Sequence, residues 1–106
     1  RFAGTPVIAS AHQKAFCEWL GFTVTAELGR SEDMTPRDLR ALLKADAELV
    51  IGNLQSDAAA AKTLASRKDV PVAVVSNFPG VPGYGKTYGE LFSRNLERVA
   101  AAWQNR

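Results

Sequence analysis

Apolar residues follow two alternating rhythms along this chain. Four short runs are dense in small and β-branched apolar residues: PVIAS (Pro6 to Ser10), FTVTAEL (Phe22 to Leu28), ELVIGNL (Glu48 to Leu54) and VPVAVVS (Val70 to Ser76). The first, third and fourth are almost continuously apolar, as expected of strands covered on both faces of a parallel sheet. The second alternates, with Phe22, Val24 and Ala26 on one side, and is expected at an edge.

Between these runs the spacing changes to three and four. AHQKAFCEWL places Phe16, Trp19 and Leu20 on one helical face. TPRDLRALLKAD offers Thr35 as N-cap, Pro36 at the first helical position and Asp38 to close a capping box, with Leu39, Leu42 and Leu43 as its stripe. SDAAAAKTLASRK starts a third helix at Ser56, and its alanines allow close approach to a sheet. The last helix is the most periodic, through Tyr88, Leu91, Phe92, Leu96, Val99, Ala100 and Trp103.

Strand–helix alternation predicts one α/β domain over residues 1–106, a three-layer α/β/α arrangement with a four-stranded parallel sheet. Right-handed crossovers bring the strand-to-helix loops to one sheet edge, where ligands bind in such folds. The candidate cleft residues are therefore Ser10 and His12 after the first strand, and Glu27, Glu32 and Asp33 around the end of the second. Asn53 and Gln55 follow the third, and Ser76 and Asn77 the fourth.

Composition narrows the function classes. With 46% hydrophobic and 23% charged residues the chain is an ordinary globular domain, neither disordered nor low-complexity. Its net charge of +2 is scattered, without an aromatic–basic stripe, so nucleic acid is not an expected partner. A lone Cys17 excludes an intrachain disulfide and a cysteine-based zinc cluster. No apolar run approaches the roughly 20 residues that span a bilayer. The opening RFAGTPVIAS, without Met, reads as an excised piece of a longer protein, so the lack of a targeting segment is silent about location.

GVPGYGKT, Gly80 to Thr87, spells the pattern of a phosphate-binding P-loop. Four residues separate it from its strand, Pro82 removes a backbone donor, and no other strand ends in an acidic residue for magnesium. Thr87 and Glu90 also read as a capping box. The preferred reading is a helix start, and a nucleotide-binding α/β module using Gly85, Lys86 and Thr87 is the alternative. A phosphoacceptor receiver would need acidic residues where this chain has Ser-Ala-His and Asn-Leu-Gln.

His12, the only histidine, opens the first helix one turn before Phe16. It reads as a packing or capping residue, or as a metal ligand lacking matched partners. It is five positions from Cys17, which on a helix is about 500° of rotation, so the two face different ways. No nucleophile–base arrangement emerges: no catalytic residue, no organic cofactor and no enzyme activity are expected.

In order, VIASAHQKAFCEWLGF, SEDMTPRDLRALLKADAELVIGN, NLQSDAAAAKTLA, and VPVAVVSNFPG with YGELFSRNLERVAAAW cover nearly the whole chain. Together they resemble the C-terminal lobe of the metal-type (zinc/manganese class) solute-binding proteins of ABC importers. The resemblance implies an extracytoplasmic protein, periplasmic or lipid-anchored, that captures a divalent transition metal between two lobes and delivers it to a membrane permease. Its expected partners are an N-terminal lobe of the same protein and that permease. The family takes one metal ligand at the opening of the first helix and an acidic one after the last strand. A gap-free match places these at Ser10, with His12 two residues later, and at Asn77. The resemblance thus implies His12 and Asn77 as a non-standard metal pair, or a lobe that has lost metal binding and serves protein contacts only.

Overall fold

A computed structural model describes residues 2–29 and 34–106. Four strands, β1 (Pro6–Ser10), β2 (Thr23–Leu28), β3 (Leu49–Asn53) and β4 (Val72–Val75), form one sheet in the order β2–β1–β3–β4. Every pairing is parallel. The helices α1 (Lys14–Trp19), α2 (Pro36–Lys44), α3 (Ala58–Lys68) and α4 (Tyr88–Gln104) alternate with the strands. The predicted α/β class is thus the observed one.

Side-chain alternation along the strands builds the three layers. Val7, Ala9, Leu49, Ile51, Ala73 and Val75 point to one face, where they pack with Cys17 of α1 and Val99 and Ala102 of α4. Ile8, Leu28 and Val50 point to the other, against Leu42 of α2 and Ala61, Leu64 and Ala65 of α3. β3 is buried at all five positions, as its unbroken apolar run predicts. The chain leaves β1 outward to β2, then returns across the other face to β3 and β4. The connections therefore diverge between β1 and β3, the topological switch point of the sheet.

β2 is an edge strand with Thr23, Thr25 and Glu27 exposed, in keeping with its alternating sequence. β4 is the other edge, and here continuity of apolar residues misleads, because Val72 and Val74 are only half-buried. Its apolar character is explained by the chain that follows: the Tyr84 hydroxyl donates to the Val74 carbonyl at 2.7 Å, covering part of an open edge.

The first helix departs from expectation. Instead of one helix from Ala11 there is a 3-10 turn, Ala11–Gln13, and then only the six residues of α1. The tight turn buries the Gln13 side chain at the sheet edge, which a regular helix would aim elsewhere. Trp19 ends up 71% exposed, edge-on to Phe92 at 5.6 Å. α2 begins as expected, with both capping-box bonds present between Thr35 and Asp38.

α3 approaches the sheet closely because β3 carries Gly52. A Cβ there would lie 2.5 Å from that of Ala61 and 3.2 Å from a carboxylate oxygen of Asp57. The helix starts two residues later than its sequence suggests. Asp57 turns its carboxylate back to the Asn53 amide at 2.6 Å rather than capping the helix.

Candidate functional site

β1, β3 and β4 run in parallel, so their C-terminal ends share one edge, and each ends in or runs into a small polar residue: Ser10, Asn53 and Ser76. These three are buried, as are Gln13, Asp57 and Asn95 close behind them. Polar groups removed from water at strand ends must be partnered, and here they partner one another. No buried side-chain nitrogen or oxygen among the described residues lacks a hydrogen bond.

The resulting cluster is built of amides and hydroxyls. Asn53 donates from Nδ2 to Asn77 Oδ1 at 2.9 Å, and Gln13 Nε2 donates to the same oxygen at 2.7 Å. Asn53 Oδ1 accepts from the Gln55 backbone amide at 3.0 Å and from Ser56 Oγ at 3.3 Å. Gln55 bridges to the β4 side. Its Oε1 accepts from the Asn77 backbone amide at 2.9 Å, and its Nε2 donates to Ser76 Oγ at 2.7 Å. From below, Asn95 of α4 accepts from the Ser76 amide at 3.1 Å and donates to the Ser76 carbonyl at 3.0 Å. The ends of β3 and β4, the 3-10 turn after β1 and α4 are thereby tied into one polar floor, with the Asp57 carboxylate bonded to Asn53 and Ser56 at its side.

The structure brings Asn53, Gln55, Ser76 and Asn77 together, and leaves other sequence-predicted site residues apart. Ser10 is fully buried and its Oγ accepts from the His12 amide at 3.3 Å. His12 is exposed on the 3-10 turn, and no hydrogen bond joins its ring to the cluster. Glu27 is exposed on β2 and paired with Lys14 at 3.2 Å. Glu32 and Asp33 lie outside the described residues. Among the described residues no three His, Cys, Asp or Glu side chains gather where a metal ion could be held.

Sequence reasoning missed Gln13, Ser56, Asp57 and Asn95. Asn95 did carry a signal: it sits between Leu91 and Val99 at helical spacing, a polar residue on the buried stripe of α4. Gln13 carried none, because its inward orientation depends on the 3-10 turn.

The GVPGYGKT segment has a different character. Gly80, Gly83 and Gly85 all adopt positive φ, and the loop closes on itself. The Gly80 amide donates to the Gly85 carbonyl at 2.7 Å and the Tyr84 amide to the Val81 carbonyl at 3.0 Å. Thr87 caps α4 as expected, accepting from the Glu90 amide at 3.1 Å. The Glu90 carboxylate reaches one residue further back than a capping box requires, to the Lys86 amide at 3.2 Å. An open groove of about 860 Å³ runs alongside, lined by Lys86, Glu90, Arg94, Glu97 and Arg98. Arg98 stacks on Tyr84 at 4.1 Å and donates to the Gly83 carbonyl at 3.0 Å.

Cys17 offers no nucleophile. It is buried on the inner side of α1, and burial, with the Glu18 carboxylate adding to it, pushes its thiol up to about 12. Compared with known proteins, the chain matches no protein-family model and no curated relative.

Proposed function

We propose that this chain is a non-catalytic ligand-binding lobe, the C-terminal lobe of an ABC importer's solute-binding component, which meets its solute with the C-terminal edge of its sheet. The observation that carries the reading is the hydrogen-bonded amide floor beside the switch point, centred on Asn53, Gln55 and Asn77 at the ends of β3 and β4 and reached by Gln13 from the turn after β1. Switch-point edges are where doubly wound sheets bind ligands, and a floor whose polar groups already hold one another loses little conformational freedom on binding. The order of motifs described above supports the importer assignment.

In this reading the floor is one half of a cleft. A second lobe of the same protein supplies the other half, and the solute favours the closed state by contacting both halves at once. Zinc or manganese is the cargo the resemblance implies. His12 is the one imidazole on this lobe's rim, and further metal ligands would come from outside the described residues. The protein then works outside the cytoplasmic membrane and hands its solute to a permease.

Uptake of radiolabelled zinc and manganese, each supplied as chloride and as citrate complex, tests the proposal in cells with and without the gene. Loss of the gene is expected to lower uptake of at least one form about tenfold, the scale of a missing high-affinity binding step. Uptake of all four forms independent of the gene contradicts the importer role.

A further inference from the structure

We infer that the amide floor takes a solute presenting carboxylate oxygens, an organic polyacid or its metal chelate, rather than a bare divalent cation. This rests on the lobe reading above and names the chemistry of its cargo.

Two backbone amides, which can only donate, fix the orientation of the Asn53, Asn77, Gln13 and Gln55 side-chain amides. The Gln55 backbone N–H lies 3.0 Å from one corner of the Asn53 side chain, so that corner is the carbonyl oxygen. The opposite corner of Asn53 is then the NH₂ group, and the Asn77 atom it meets at 2.9 Å must accept, so it is Oδ1. Gln13 Nε2 reaches the same oxygen at 2.7 Å, and the two donors take both lone pairs of Asn77. The second backbone donor, Asn77 N–H, fixes Gln55 Oε1 at 2.9 Å and turns Gln55 Nε2 to Ser76 Oγ at 2.7 Å.

What remains turned outward is a set of N–H groups. No acceptor among the described residues meets Asn77 Nδ2, and half-buried Asn77 presents that NH₂ group above the floor. Exposed Gln55 keeps a second N–H beside it. Metal coordination requires lone pairs, and amide N–H groups have none to give. The Asp57 carboxylate behind the floor is 2% exposed and already accepts from Asn53 N–H at 2.6 Å and Ser56 Oγ at 3.2 Å. A bare cation therefore meets donors of its own sign of partial charge. A carboxylate meets several positioned N–H groups, and such charge-assisted bonds strengthen when a closing lobe excludes water.

The side-chain NH₂ resonances of the ¹⁵N-labelled chain read this directly, in separate titrations with sodium citrate, zinc citrate and zinc sulfate. Citrate is expected to shift the Asn77 NH₂ pair, while zinc sulfate at equal concentration leaves it in place. A response to zinc citrate but not to citrate alone assigns the chelate as the carboxylate source, and a response to both assigns the free acid as sufficient. Asn77→Asp replaces the outward NH₂ with an oxygen, so it should weaken citrate binding about tenfold and strengthen Zn²⁺ binding about tenfold. Its backbone amide spectrum verifies that the variant is folded. Zinc sulfate shifting Asn77 and His12 while both citrate forms stay silent overturns the cargo class and leaves the lobe reading standing. Silence of the Asn77 pair toward all three probes, to their solubility limit, overturns the cargo class as well. Shifts confined to the groove beside Lys86 and Arg98 overturn both readings.

Discussion

Two regions of this domain invite a ligand, and they are built in opposite ways. The Gly80–Thr87 loop spells a phosphate-binding pattern, yet three of its amides are spent locally. Gly80 and Tyr84 donate within the loop, and Lys86 donates to the Glu90 carboxylate, which places a negative charge at the start of α4. The sheet edge spells no motif at all, yet it gathers side chains from residues 13 to 95 of the sequence into one network. A motif states which residues are adjacent in sequence, whereas a site depends on which donors and acceptors remain unspent after folding. The loop is a connection that starts a helix with a carboxylate at its entrance. The proposed site is the edge, where side-chain donors of Asn77 and Gln55 stay unspent.

If the edge is integral to the fold and the loop is peripheral, substitutions in the two regions should separate in urea denaturation. The largest effect is expected from Asn95→Ala, which leaves the buried Ser76 amide and carbonyl unpartnered and should cost about 3 kcal/mol. Asn53→Ala removes the hub that faces Gln55, Ser56 and Asn77, and should cost about 2 kcal/mol. In the loop, Thr87→Ala removes only an exposed helix cap, about 1 kcal/mol. Lys86→Ala should change stability by less than about 0.5 kcal/mol, as an exposed side chain without a partner among the described residues. A larger loss at Lys86 than at Asn53 would invert the comparison.

Cys17 gives the smallest effect at neutral pH and a clear one in alkali. Burial holds its folded-state thiol at about 12 against an ordinary 9.0, so the folded protein keeps a proton that the unfolded chain releases first. Its contribution to stability should be intact below the ordinary value and be lost as pH rises from there toward the folded one. Iodoacetamide should leave Cys17 unmodified in the native protein at neutral pH and label it only on unfolding. Rapid native-state labelling would show that α1 does not hold it against the sheet.

The layers of this fold were legible because burial writes itself into sequence as periodicity. The unbroken apolar run of β3, the alternation of β2 and the stripe of α4 each followed from which face meets the core. The capping box of α2 was legible for a different reason, since it joins residues three apart. The amide floor was only half legible. Asn53, Gln55, Ser76 and Asn77 followed from strand ends, which topology brings to one edge. Gln13 did not, because it faces inward only through a 3-10 turn that helical periodicity overlooks. Asp57 did not either, because its carboxylate turns back to the β3 backbone, next to the close packing at Gly52, instead of capping α3. β4 was expected to be covered on both faces, yet Val72 and Val74 are half-buried at a sheet edge that the Tyr84 hydroxyl partly covers, and no local pattern distinguishes a loop's cover from a strand's.

The donor character of the edge depends on the side-chain amides pointing as the Gln55 and Asn77 backbone donors require. Hydrogen exchange of the assigned Asn53 and Asn77 NH₂ groups measures that orientation most directly. The Asn53 pair, fully buried with one proton held by Asn77 Oδ1, should exchange far more slowly than in a free peptide. The Asn77 pair should exchange at nearly the free-peptide rate. An Asn77 NH₂ group as protected as that of Asn53 would mean that it faces the protein, and that the edge turns an oxygen, not a donor, outward.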